Sequence, residues 1–201
     1  SVEKVSKHLL EQKTDAIVVA GTTGESPTLT HEEEQEVLYC TKAATSGQCK
    51  IIMGAGSNCT ETAVNSSKKA QELGADAILS VVPYYNKPSQ QGMIEHFGAI
   101  AKSVDLPIIL YNIQGRTGVD MSPSTIAFLA KEYDNIVAVK QSNGNLDLIS
   151  EIRMLAPDDF AIYSGDDSLT LPMLSIGAHG VVSVASHVVG APIKSMIRNY
   201  K

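Results

Sequence analysis

Seven short apolar runs recur along the chain: "DAIVVAG" (15–21), "KIIMGAG" (50–56), "DAILSVV" (76–82), "LPIILYN" (106–112), "NIVAVK" (135–140), "FAIYS" (160–164) and "HGVVSV" (179–184). They are nearly continuous in Val, Ile and Leu instead of alternating with polar residues. Strands covered on both faces carry that pattern, and parallel sheets are built from such strands. The stretches between them have helical period and helix-start signals. Thr30 with Glu33 spells a capping box, and Ser122-Pro123 places an N-cap before a proline at the first helical position. Gly74 and Gly177 fall where helix C-caps are expected, each shortly before the next apolar run.

Strands alternating with helices predict right-handed βαβ units and a parallel sheet. The count is seven strands and about eight helices, with a helix at each end. A doubly wound sheet accommodates that count. An opening helix without its own strand points instead to an α/β fold of the (β/α)8 TIM-barrel type, a single domain over residues 1–201 that lacks its first strand. Such barrels typically take about 250 residues, and the first residue is Ser1, not Met. The expectation is therefore a truncated barrel.

Composition narrows the function classes. Hydrophobic residues make up 43% of the chain, enough for one sizeable core. A net charge of −6 and a pI near 5.3 argue against nucleic-acid and anionic-membrane partners, which call for a basic face. No apolar run approaches the ~20 residues of a membrane helix, and "SVEKVSKHLLEQK" is amphipathic, unlike a signal peptide. Cys40, Cys49 and Cys59 have no CxxC spacing and fit reduced thiols, so a cytoplasmic location is expected.

In a parallel barrel the chemistry lies at the C-terminal ends of the strands. Thr22, Thr23, Tyr85, Tyr111 and Lys140 all fall there. Lys140 closes "IVAVK"; burial lowers an amine's pKa and suits it to Schiff-base formation with a carbonyl. The competing reading is a lysine that reaches solvent or pairs with an acid such as Asp166. Lys50 opens its strand and is read as structural. Tyr111 and Tyr85 are candidates for moving protons, against the alternative of core tyrosines with satisfied hydroxyls. Arg116, in "YNIQGRTG", is either a surface side chain or a fork for a substrate carboxylate. "SGDD" (164–167) lacks a third ligand, and "HEEEQ" (31–35) ends in Gln35 and is not HExxH, so no metal is expected. "GTTGES" (21–26) puts Glu25 where a phosphate loop has lysine, which leaves two hydroxyls and a turn suited to a small carboxylate.

Taken together, "GTTGES", "PYYNKPSQ" (83–90), "YNIxGRTG" (111–118), strand-end Lys140, "SGDD" and "GAHGVVSV" (177–184) resemble one family in order and spacing. It is the pyruvate-dependent class I aldolases typified by N-acetylneuraminate lyase, and most closely its 4-hydroxy-tetrahydrodipicolinate (dihydrodipicolinate) synthases. The resemblance implies a lyase of lysine and diaminopimelate biosynthesis. Its substrates would be pyruvate, bound as an imine on Lys140, and L-aspartate 4-semialdehyde, with no separate cofactor. It assigns Tyr111 as acid/base and Thr22 and Tyr85 as proton relay. Thr22 and Thr23 would hold the pyruvate carboxylate, Arg116 the semialdehyde carboxylate, and Gly165 and Val182 would line the lysine pocket. Tyr85 would come from a neighbouring subunit of a homo-oligomer, dimer or tetramer. Gln114 and Gln141 replace a usual proline and a frequent acid, and the family's C-terminal helical segment is missing, so the resemblance implies a barrel truncated at both ends. Ser26, His31, Asn58 and Tyr84 match feedback-site positions, whereas Glu34 and Thr62 depart from them, so weak or absent lysine inhibition is expected. The alternatives are another pyruvate-dependent aldolase, such as a sialic acid or keto-deoxy-sugar lyase, and a noncatalytic small-ligand-binding barrel.

Overall fold

A computed structural model describes residues 1–200. Strands β1 (Ala16–Val19), β2 (Lys50–Gly54), β3 (Ala77–Val81), β4 (Ile108–Asn112), β5 (Ile136–Gln141), β6 (Ala161–Ser164) and β7 (Gly180–Val181) each fall on one predicted run. They form one sheet in chain order with every neighbouring pair parallel. Helices α1 (Val2–Glu11), α2 (His31–Thr45), α3 (Thr60–Glu72), α4 (Gln90–Ala101), α5 (Gln114–Thr117), α6 (Pro123–Glu132), α7 (Leu146–Leu155), α8 (Thr170–Ser175) and α9 (Ser186–Tyr200) complete the described elements. The single turn of α5 was not foreseen. No helix among the described residues is long and apolar enough to cross a membrane.

The local signals act as their chemistry dictates. Thr30 Oγ1 accepts from the Glu33 N–H at 3.2 Å, while the Glu33 carboxylate accepts from the Thr30 N–H at 2.8 Å. Ser122 Oγ accepts from the Thr125 N–H at 3.2 Å and starts α6. Gly74 and Gly177 follow α3 and α8 with φ of +73° and +96°, where a side chain would be strained.

Successive strand residues point to opposite faces of the sheet. Ile78, Leu110 and Val139 pack outward with Phe97 of α4, Ile126 of α6 and Ile149 of α7 in the main core. Leu79, Ile109, Tyr111 and Ala138 form a smaller cluster on the other face. That inner face curls around one cavity of about 630 Å³, lined by every strand through Val18, Ile52, Leu79, Ile109, Lys140, Tyr163 and Val181. The result is a parallel, curled, TIM-barrel-like α/β sheet.

The curl is not closed by backbone pairing: β1 pairs with β2 and β7 with β6, and neither pairs with the other. Helices α1 and α9 bridge that seam from outside. A His8 ring nitrogen lies 2.8 Å from the His187 carbonyl, the Ala191 N–H donates to Gln12 at 3.1 Å, and Lys194 pairs with Asp15.

Candidate active site

Lys140 and Tyr111 are brought together by register. They are directly paired residues of the adjacent parallel strands β5 and β4, with side chains on the inner face. The Lys140 ammonium nitrogen stands 4.0 Å from the centre of the Tyr111 ring. Tyr163 flanks Lys140 from the other side as its partner on β6. Burial pulls the Lys140 pKa down to about 8, with the Asp167 charge pulling the other way. Burial likewise raises the Tyr163 phenol. An amine of this kind is free in useful amounts near neutral pH and is a competent nucleophile.

The glycine turn after β1 reaches the same cavity. Ala20 takes a left-handed φ of +51°, and the chain then forms two short 3-10 turns, Thr22–Gly24 and Ser26–Thr28, before α2 begins. Gly54 of β2 makes room for that bend, because a Cβ there would lie 2.1 Å from the Ala20 carbonyl oxygen. Thr22 and Thr23 line the cavity with Lys140, while Glu25 is exposed.

Gly165 is required by crowding. A Cβ at this position would lie 1.7 Å from Ser142 Oγ and 2.9 Å from Lys140 Cε. Its N–H donates to the Gln141 carbonyl at 2.8 Å, and the Val182 N–H donates to the Ser164 carbonyl at the same distance. Val182 also lines the cavity. Behind the site, Asn112 and Asn143 donate to the two oxygens of Asp120 at 2.7 and 3.0 Å, tying together the loops after β4 and β5.

One chain thus gathers Lys140, Tyr111, Thr22, Thr23, Gly165 and Val182. It does not bring Tyr85 or Arg116 to them. Tyr85 is 91% exposed with a left-handed φ of +71°, held out on the loop after β3. Arg116 is exposed on α5 and does not line the cavity. The pairing of Lys140 with Asp166 is corrected: Asp166 accepts from the Ser168 N–H and hydroxyl at 3.0 and 2.9 Å, and Asp167 is the acid felt at Lys140. No group of three metal-binding side chains gathers among the described residues. Tyr163 and Ser142 were missed by the sequence reading. Tyr163 was within reach of it, since register with Lys140 sets its inward direction, whereas Ser142 meets Gly165 only through loop geometry.

Comparison with known proteins agrees with this geometry. The Dihydrodipicolinate synthetase family profile matches residues 1–201. A 4-hydroxy-tetrahydrodipicolinate synthase from Synechococcus is 54% identical over 98% of this chain and 64% of its own length. The chain therefore spans just under two thirds of that relative. The crystal structure of the Cyanidioschyzon merolae enzyme, solved with lysine bound, superposes with a TM-score of 0.97 at 54% identity, covering 99% of this chain and 67% of that one. The dihydrodipicolinate synthase of Aquifex aeolicus gives 0.96 at 49% identity, covering 98% and 68%. With the sheet, the strand-end lysine and its tyrosine neighbour in place, the chain belongs to the dihydrodipicolinate synthetase family.

Proposed function

We propose that this chain carries the active site of a 4-hydroxy-tetrahydrodipicolinate synthase, a Schiff-base lyase joining pyruvate to L-aspartate 4-semialdehyde. The observation that carries the reading is Lys140: half-buried on the inner face, stacked on Tyr111, with its pKa lowered to about 8. The free amine attacks the pyruvate ketone, and loss of water from the carbinolamine leaves an iminium. Tyr111 supplies the proton to the departing hydroxyl and afterwards accepts one. Loss of a methyl proton gives the enamine, whose carbon attacks the semialdehyde aldehyde. The amino group of the adduct then attacks the imine carbon, expels the Lys140 amine and closes the ring. The Thr22–Gly24 turn supports the pyruvate carboxylate through the threonine hydroxyls.

The exposed Tyr85 fits a homo-oligomer in which it enters a neighbour's site, with Thr22 completing the relay to Tyr111. Mixing Lys140→Ala and Tyr85→Phe subunits should then restore part of the activity that each lacks alone. The open seam between β1 and β7 fits an additional strand closing a (β/α)8 barrel within a longer protein that also carries a C-terminal helical segment. The cavity beside α2 and α3 is lined by His31, Glu34 and Thr62, and a His31 ring nitrogen lies 3.2 Å from the Glu34 carboxylate. With Glu34 and Thr62 at this cavity, lysine inhibition is expected to be weak or absent, and inhibition by micromolar lysine would overturn that expectation.

Borohydride reduction with pyruvate should fix a pyruvate adduct on Lys140 of the full-length protein. Its absence would sink the aldolase reading and leave a noncatalytic ligand-binding barrel. Condensation of aspartate semialdehyde, compared with cleavage of a sialic acid, separates the synthase from a sugar-acid lyase. Arg116→Ala should impair semialdehyde use far more than pyruvate trapping; equal losses would remove Arg116 from the substrate site.

A further inference from the structure

Asp167 lies between β6 and α8, on the loop after Gly165. Its carboxylate collects donors from a different loop, the one that follows β7. One oxygen accepts from the Ser183 hydroxyl, and the other from the Val184 and Ala185 N–H groups at 3.1 and 2.9 Å. Ser183 Oγ in turn accepts from the N–H of Ser186, the first residue of α9, at 2.8 Å. Val182, Ser183 and Val184 line the cavity that contains Lys140. Val182 is held by its strand bond to Ser164, so the carboxylate fixes the part of that wall which β7 does not reach. Asp166 is turned back on Ser168 and does not share the task.

We propose that Asp167 is a positioning residue of the Schiff-base site: it pins the 183–186 wall of the lysine pocket and sets a fixed negative charge for the Lys140 nitrogen. The proposal rests on the imine chemistry inferred above. The same charge favours the ammonium before reaction and the iminium after it, because both place a positive charge on that nitrogen. The groups around Lys140 leave this role to Asp167. Tyr111 from β4 and Tyr163 from β6 flank the amine on either side. The other titratable side chains lining the cavity are Lys13, Asp15, His179, His187, Lys194 and Arg198. They come from the β1 and β7–α9 sides, with Asp15 engaged by Lys194. Asp167 is the charge that opposes the effect of burial on Lys140.

Two variants of the full-length protein separate anchor from charge. Asp167→Asn keeps a carbonyl for the two N–H donors and an amide for Ser183, but removes the charge. The pH midpoint of pyruvate trapping should fall by roughly half to one unit. Ser183→Ala keeps the charge and loses one anchor. Half-saturating pyruvate should rise roughly ten-fold, for the two hydrogen bonds the hydroxyl makes, at an unchanged midpoint. An unmoved midpoint in a folded Asp167→Asn protein, or unaltered pyruvate saturation in Ser183→Ala, overturns the proposal. If Asp167→Asn does not fold, Ser183→Ala alone decides. Absence of any adduct in the unaltered protein would overturn the Schiff-base reading instead.

Discussion

Lys50 and Lys140 stand on parallel strands of one sheet, at opposite ends. Lys50 opens β2, is exposed, and pairs with Asp76 at 2.8 Å, so its ammonium is favoured and its pKa rises. Lys140 lies at the far end of β5 and faces inward, where loss of solvent disfavours its ammonium more than the Tyr111 ring beneath it favours it. The side chains are chemically identical. What differs is solvent and a partner: one end of the sheet stabilises the charge, and the other makes the neutral amine accessible. Asp76 sharpens the contrast. Burial tends to raise its carboxyl, but the Lys50 ammonium and the Ile51 N–H outweigh that and hold it below the usual range.

The strongest break of this comparison is Lys140→Met, which should abolish pyruvate trapping completely. It should also raise stability at neutral pH. The folded-state pKa of Lys140 is about 8 against an ordinary 10.5, so protonated Lys140 burdens the fold below pH 8 and ceases to do so above the ordinary value. At 1.36 kcal/mol per unit, that burden is on the order of 3 kcal/mol. Urea titrations at pH 7 and pH 10.5 measure it, and a Met variant no more stable at pH 7 would refute it. Tyr111→Phe comes next. It keeps the ring under the amine and removes the phenol, so turnover should fall about 10²-fold, and an unaffected rate would remove Tyr111 from proton transfer.

Gly165→Ala should have a smaller effect on the same amine, since its methyl group displaces Ser142 Oγ and Lys140 Cε. A loss of about 1–3 kcal/mol in stability is expected from overpacking, with slower trapping at saturating pyruvate. Thermal melts and trapping rates read both. The smallest effect belongs to the other end of the sheet. Lys50→Met should leave trapping untouched and shift the melting temperature only slightly, because exposed ion pairs contribute little. A clear loss of trapping would mean that the two ends are coupled.

Much of this arrangement was legible in residue order. The apolar runs fixed the seven strands because sheets buried on both faces leave no room for polar alternation. "IVAVK" placed a lysine at a strand's chemical end and "IILYN" placed Tyr111 on the same rim, while only the register of β4 with β5 sets the two side by side. The limits have equally physical causes. Tyr85 is exposed on a loop where its backbone is left-handed, and composition announces neither. "SGDD" offered two adjacent acids, and only their backbone partners show that Asp166 serves its own turn while Asp167 serves another loop. The β7 ladder is just Gly180–Val181, shorter than its apolar run, since the chain leaves the sheet to meet that carboxylate.

The seam between β1 and β7 has a kinetic consequence. The contacts that span it, Gln12 with Ala191 and Asp15 with Lys194, join residues 179 positions apart, the greatest loop closure among the hydrogen bonds described. Neighbouring strands meet across far shorter loops, so loop-closure entropy predicts that they order before residues 12–15 and 191–194 meet. Weakening the dock, as in Gln12→Ala, should therefore quicken unfolding and leave the folding rate nearly unchanged. In stopped-flow terms, the closure of this ring would belong to the native side of the barrier.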